Sequence, residues 1–177
     1  MQLLKAYDKL LISHPIKTKT ITSGFLFGLG DFICQNYIEK QEQYNPKRTG
    51  YMVIMGTVSG PIFHCWYGFL SGLKFTQKLS PLPSALVSMA IDQTAFAYLY
   101  LSFFLFTLNT MESKDPQKAL KLREEKIFET LVANWKIWPL AQLINFSLIP
   151  TPYRVLWANM VGLAWNVIAS FIAHKKE

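Results

Sequence analysis

TKTITSGFLFGLGDFICQNYI, residues 18–38, is apolar for about the length of a bilayer crossing, yet it carries Asp31 and Gln35 one helical turn apart. A crossing helix needs roughly 20 mainly apolar residues at about 1.5 Å each. Four further stretches repeat the pattern, at residues 49–73, 82–110, 132–149 and 153–173, and almost all charge lies between them. The first three stretches are long enough even when tilted, and 132–149 is short for the task. The apolar runs are continuous rather than alternating, and a backbone in hydrocarbon must satisfy its own hydrogen bonds, so helices are favoured over strands. The expected fold is all-α: an integral membrane helical bundle of four to five transmembrane helices in a single membrane domain over residues 1–177.

Composition agrees. Hydrophobic residues make up 51% and charged residues 16% of the 177, against roughly 25% charged in a soluble domain. At 20.3 kDa there is no room for a second folded domain, and no Gly/Ser- or Pro-rich linker divides the chain. The net charge of +7 is placed at span ends rather than along a stripe. Lys5, Lys9, Lys17 and Lys19 gather at the start of the first span; Lys40, Lys47 and Arg48 separate it from the second, and Lys74 and Lys78 follow that. Such residues reach toward headgroups, and the expected partners are membrane lipids, anionic ones in particular. No nucleic-acid motif or solvent-facing aromatic stripe accompanies them, so nucleic acid is not expected as a partner.

Two amphipathic interfacial helices are expected outside the spans. Residues 1–13 set Leu3, Leu4, Tyr7, Leu10 and Leu11 against Lys5, Asp8 and Lys9, and His14-Pro15 should end that helix because a proline ring disfavours helical backbone in the residue before it. A cleavable presequence would lack acidic Asp8 and would carry arginine, which first occurs at Arg48. Residues 114–131 set Leu120, Ile127, Phe128 and Leu131 against Lys114, Lys118, Lys121, Arg123, Glu124, Glu125 and Lys126, with Ser113 to cap the start and Pro116 in the first turn. This second face reads either as lipid-skimming or as a docking surface for a partner.

Nothing points to catalysis. Cys34 and Cys65 both fall inside spans, define no disulfide framework, and read as small buried hydrophobes. Cys65 beside His64 supplies too few soft ligands for a metal. Glycine-rich nucleotide loops, paired carboxylates and Ser/His/Asp orders are absent, so no catalytic residue, metal or cofactor is expected.

The spans are unusual in their polar content. Asp31, Gln35, His64, Asp92, Gln93, Gln142, Asn145, Arg154 and Asn166 form a candidate polar seam, with Arg154 as counter-ion for Asp31 or Asp92. Trp135, Trp138, Gln142, Asn145 and Ile149 share one helical face, as do Asn159, Gly162, Asn166 and Ser170. Charges at helix centres cost at least a few kcal/mol, so they should turn inward, pair, or line water. The seam reads either as glue between helices or as a path for small solutes or ions. Gly24 with Gly28, Gly56 with Gly60, and Gly68 with Gly72 are small-residue pairs for close helix packing. Pro61 and Pro139, the latter beside Trp138, shape their helices by removing a hydrogen bond.

The residues resemble a known family over nearly the whole chain. His14-Pro15, Gly28-Leu29-Gly30-Asp31 with Gln35, Gly60-Pro61 before Trp66-Tyr67, Asp92-Gln93, Trp135, Trp138-Pro139, Gln142, Asn145-Phe146, Pro150, Tyr153-Arg154 and Trp165-Asn166 are similar to the pattern of the Mpv-seventeen family, which includes the twenty-two-kilodalton peroxisomal membrane protein. The resemblance implies a small multi-pass protein of the mitochondrial inner membrane, with the peroxisomal membrane as the alternative. It also implies channel-type behaviour of weak selectivity and a link to mitochondrial DNA maintenance and metabolite balance. It marks Asp31, Gln35, Asp92, Trp138, Pro139, Gln142, Asn145 and Arg154 as shared positions. The bulky run Ile62, Phe63, His64 and Cys65, where many members have small residues, departs from it. A distinct expectation is an accessory structural subunit of a respiratory-type inner-membrane complex, in contact with other subunits or with itself through the interfacial helices.

Overall fold

A computed structural model describes residues 2–39 and 41–174, with side chains apart from those of residues 2–4, 74–75 and 166–174. The described residues are helical apart from short connections, without strands. Helix α1 (Gln2–Ser13) ends where expected: His14 leaves helical geometry and Pro15 opens α2 (Pro15–Ile33), which runs on through a π-helical turn (Cys34–Ile38). Next come α3 (Pro46–Gly72), the one-turn α4 (Lys74–Gln77), α5 (Pro81–Ser113), α6 (Pro116–Leu148) and α7 (Arg154–His174).

Two antiparallel hairpins, α2–α3 and α5–α6, are joined by α7, which packs chiefly against α2 and α6. In the first hairpin the backbones meet at glycine. A Cβ at Gly24 would sit 2.6 Å from Thr57, at Gly28 2.6 Å from Val53, at Gly56 2.5 Å from the Ser23 carbonyl, and at Gly60 2.8 Å from the Lys19 carbonyl. At Gly56 and Gly60 the obstacle is backbone, so only hydrogen fits there. Gly68 and Gly72, expected to pack in the same way, are open: a methyl group added at either would meet nothing within 4 Å. Gly60 already faces the first turns of α2, so two turns later α3 has run past its partner.

The second hairpin corrects two expectations. The amphipathic stretch 114–131 and the short span 132–149 are one 33-residue helix, α6. The apolar part needs no separate crossing length, because it is the second half of a rod about 50 Å long. Its cap is not Ser113 but Asp115, whose carboxylate accepts from the Gln117 and Lys118 amides at 2.9 and 3.1 Å. Lys114, at φ 55°, supplies the left-handed residue that lets α5 turn directly into α6.

Polarity is distributed inside out. Asp31, Gln35, Ser23, Asn145 and Ser59 are 0% exposed, while Ile21, Phe25, Leu99, Leu140 and Phe128 are 64–72% exposed. An aromatic cluster borders the buried apolar core: Trp66 stacks on Phe96 at 4.3 Å and Phe63 lies 4.7 Å from Tyr100. Among the described residues one helix, α5, is long and apolar enough to cross a membrane by length and composition alone, where the sequence reading expected four to five. The reason is averaging. Helices α2 and α3 direct Ser, Thr, Gly and Asp inward, and a mean over the helix dilutes the apolar face they present outward.

Candidate functional site

The expected single seam is divided into separate groups. One closes the α2–α3 end. Asp31 accepts from Arg48 Nε at 2.8 Å, from Gln35 Nε2 at 2.8 Å and from Thr49 Oγ1 at 2.7 Å. Arg48 reaches on to Glu39 with both terminal nitrogens, at 2.7 and 2.8 Å. The Asn45 side chain caps α3 by accepting from the Arg48 amide, and the Asn45 main-chain N–H donates to Gln35 Oε1 at 2.7 Å. The π turn beginning at Cys34 sets Gln35 toward this knot, which ties two helices and their connection together. Burial works against the charge on Glu39, but hydrogen bonds from Arg48 and Cys34 and the Arg48 charge outweigh it, holding its carboxyl down at about 2.

Arg48, read from the sequence as a span-end anchor, is thus the partner of Asp31, and the Arg154 counter-ion expectation is corrected. Arg154 lies at the opposite end of α3, on Ser71 Oγ at 2.8 Å and on the Ile149 and Phe146 carbonyls at 3.2 and 3.3 Å. A register argument could have found Arg48. With Gly28 against Val53 in an antiparallel pair, Asp31 must fall near the start of α3.

The second group sits in the middle of the bundle around Asp92, which is 2% exposed. Trp66 Nε1 donates to Oδ1 at 2.7 Å; Gln93 Nε2 and Gln142 Nε2 donate to Oδ2 at 2.7 and 2.8 Å. Gln142 also donates to Tyr67 Oη at 3.1 Å and accepts from Asn145 Nδ2 at 2.8 Å. Asn134 and Trp135 donate to Gln93, at its side-chain and main-chain oxygens. A π turn over Asp92–Phe96 places two consecutive polar residues inside, which an unbroken α-helix does less readily. No lysine or arginine pairs with Asp92 among the described residues. Trp66 and Tyr67 entered the sequence analysis only through the family resemblance and Asn134 not at all, because their place beside Asp92 and Gln93 is set by packing rather than by spacing.

Asp92, Gln93, Gln142 and Asn159 line a central cavity of about 50 Å³, walled by Phe63, Tyr100, Trp138 and Trp165. The Trp138 indole N–H and the Asn145 amide oxygen are buried without a hydrogen-bond partner among the described residues. The cavity is mainly apolar, and with these few polar groups on its wall it has room for one or two waters. His64 stands apart, with Lys19 Nζ at 2.9 Å from its Nδ1. Ser23 and Asn159 join α2 to α7 at 2.9–3.1 Å. The Asn166 side chain lies outside the described residues. Cys34 is buried as expected, whereas Cys65 is exposed: it sits on the outer face of α3, where a thiol serves as well as any small apolar group.

A helix bundle with an apolar exterior and hydrogen-bonded acids, amides and a guanidinium inside defines a class of protein whose outer surface suits hydrocarbon. The "Mpv17 / PMP22 family" model matches residues 109–170. The chain is 36% identical to the rat (Rattus norvegicus) protein named mitochondrial inner membrane protein Mpv17, over 99% of each chain. It is 33% identical to protein SYM1 of Gibberella zeae over 96% of each, and 37% identical to protein SYM1 of Eremothecium gossypii over 94% and 93%. The chain belongs to the Mpv17/PMP22 family. No solved structure matches it.

Proposed function

We propose that this is a non-enzymatic, multi-pass protein of the mitochondrial inner membrane whose central cavity is the closed waist of a path for small solutes or ions. The observation that carries this reading is Asp92. It is a buried carboxylate with three N–H donors and no cation among the described residues, on the wall of a mainly apolar cavity that a few polar groups enter. A charge inside a membrane bundle is costly unless it is paired or faces water, and donors alone leave a carboxylate able to attract a cation. About 50 Å³ admits water but no metabolite, so conduction requires α3, α5 and α7 to separate around the aromatic walls. The membrane placement is supported by the exposed apolar faces of α2, α5 and α6, and the inner membrane by the name of the rat relative.

An accessory-subunit role is the second reading, favoured by Phe128, 72% exposed among charges on the first half of α6. Planar bilayers separate the two. The purified chain should conduct with a preference for cations, and Asp92→Asn should reduce that preference severalfold. Absence of conductance in the natural chain, or conductance untouched by Asp92→Asn while its melting temperature falls, would leave the Asp92 group as helix glue only.

A further inference from the structure

A second cavity, of about 210 Å³, opens where α3 ends, α5 and α7 begin and α6 ends. It shares no lining residue with the central cavity, and its walls are mainly polar: Arg154, Ser71, Thr76, Ser84, Ser88 and Thr151 contribute to it. We propose that this cavity is a binding site for a phosphate-class oxyanion, taken either from a phospholipid headgroup or from free phosphate.

Three observations converge. The guanidinium of Arg154 has no acidic partner among the described residues. Of its five N–H donors, three are used, on Ser71 Oγ and two carbonyls, so two, one on each terminal nitrogen, remain for a ligand. The guanidinium carbon lies 5.3 Å from the centre of the Phe146 ring, a cation–π contact that helps hold the group at the cavity wall. The hydroxyls of Ser84, Ser88 and Thr151 make no hydrogen bond to protein among the described residues, although Ser88 is only 7% exposed. A pocket of spare hydroxyl donors beside an unneutralised, planar cation matches a tetrahedral oxyanion. A cation would find no carboxylate here, and an apolar ligand would strand the hydroxyls. The amino ends of α5 and α7 add their positive dipoles, while the Phe146 and Ile149 carbonyls at the end of α6 are already taken by Arg154. Lys78, exposed in the connection between α3 and α5, brings further positive charge to the same end of the bundle.

The test uses the full chain in two arms. In detergent, calorimetric titration with inorganic phosphate reads the soluble ligand. In phosphatidylcholine vesicles containing spin-labelled phosphatidylglycerol, the motionally restricted fraction reads the headgroup. Binding in the first arm assigns free phosphate, and binding in the second alone assigns the lipid. In whichever arm binds, Arg154→Gln should weaken affinity about tenfold or more, with Arg154→Lys intermediate because it keeps the charge with fewer N–H donors. Arg154 also ties down two carbonyls, so Ser84→Leu, which fills the cavity and leaves those bonds intact, should abolish binding with the melting temperature held. No binding by the natural chain in either arm, or binding that survives Arg154→Gln or Ser84→Leu, overturns the assignment.

Discussion

Asp31 and Asp92 are both buried acids with a glutamine close behind, and they are handled in opposite ways. Asp31 is neutralised by Arg48 and sealed. Asp92 has only neutral donors and a cavity. Removing Arg48 strands a buried charge, so Arg48→Met should cost about 3–5 kcal/mol in reversible unfolding of the detergent-solubilised chain. A double-mutant cycle should find Asp31→Asn coupled to Arg48→Met and independent of Arg154→Met; coupling to Arg154 instead would reverse the assignment. Glu39 adds a pH dependence. Its carboxyl is held down at about 2 from an ordinary 4.5, so the stability it contributes is complete above pH 4.5 and is lost as pH falls toward 2. The natural chain should therefore be more stable than Glu39→Gln at neutral pH, with the gap closing over that window; a gap constant with pH would contradict the bond to Arg48. At this scale the sequence shows which side chains must be inside, because an acid amid apolar residues has few other solutions. It does not show their partners, as Asp31–Arg48 and Asp92–Gln142 depend on how helices are set against each other.

At the scale of elements, the glycine pattern was legible and only partly discriminating. Gly24, Gly28, Gly56 and Gly60 form a close approach, whereas Gly68 and Gly72 share the spacing and lie beyond the end of α2. Spacing records that backbones could meet, and register decides whether they do. Gly56→Ala should cost about 1–3 kcal/mol, since its methyl would press on backbone oxygen and the Phe27 side chain. Gly68→Ala should instead stabilise by about 0.5–1 kcal/mol, the helix-interior difference between the two residues. Thermal unfolding of both variants checks the pair, and equal losses would contradict the register. The fusion of 114–131 with 132–149 into α6 was hidden because the pattern changes from charged to apolar in mid-helix, and hydropathy reads that change as a boundary although the backbone continues through it. His14-Pro15, by contrast, was read correctly because proline acts on its neighbour's backbone whatever surrounds it.

The whole molecule buries hydrogen-bonded polar groups among apolar side chains and leaves large apolar side chains outside, and this explains both why the sequence pointed to a membrane and why composition singles out only α5. Fold class follows from long apolar runs. The number of crossings does not, because α2 and α3 divide their residues between an exposed apolar side and a buried polar side. The most direct test is depth-resolved water access. Spin labels placed singly at Phe25, Ile54, Leu99, Leu140 and Met160, one on each long helix from α2 to α3 and α5 to α7, are read in liposomes by collision with oxygen and with a water-soluble nickel complex. All five should be oxygen-accessible and shielded from nickel, as expected of side chains in hydrocarbon. Free access of nickel to these positions would contradict the bundle's placement in the membrane, and with it the role assigned to its interior.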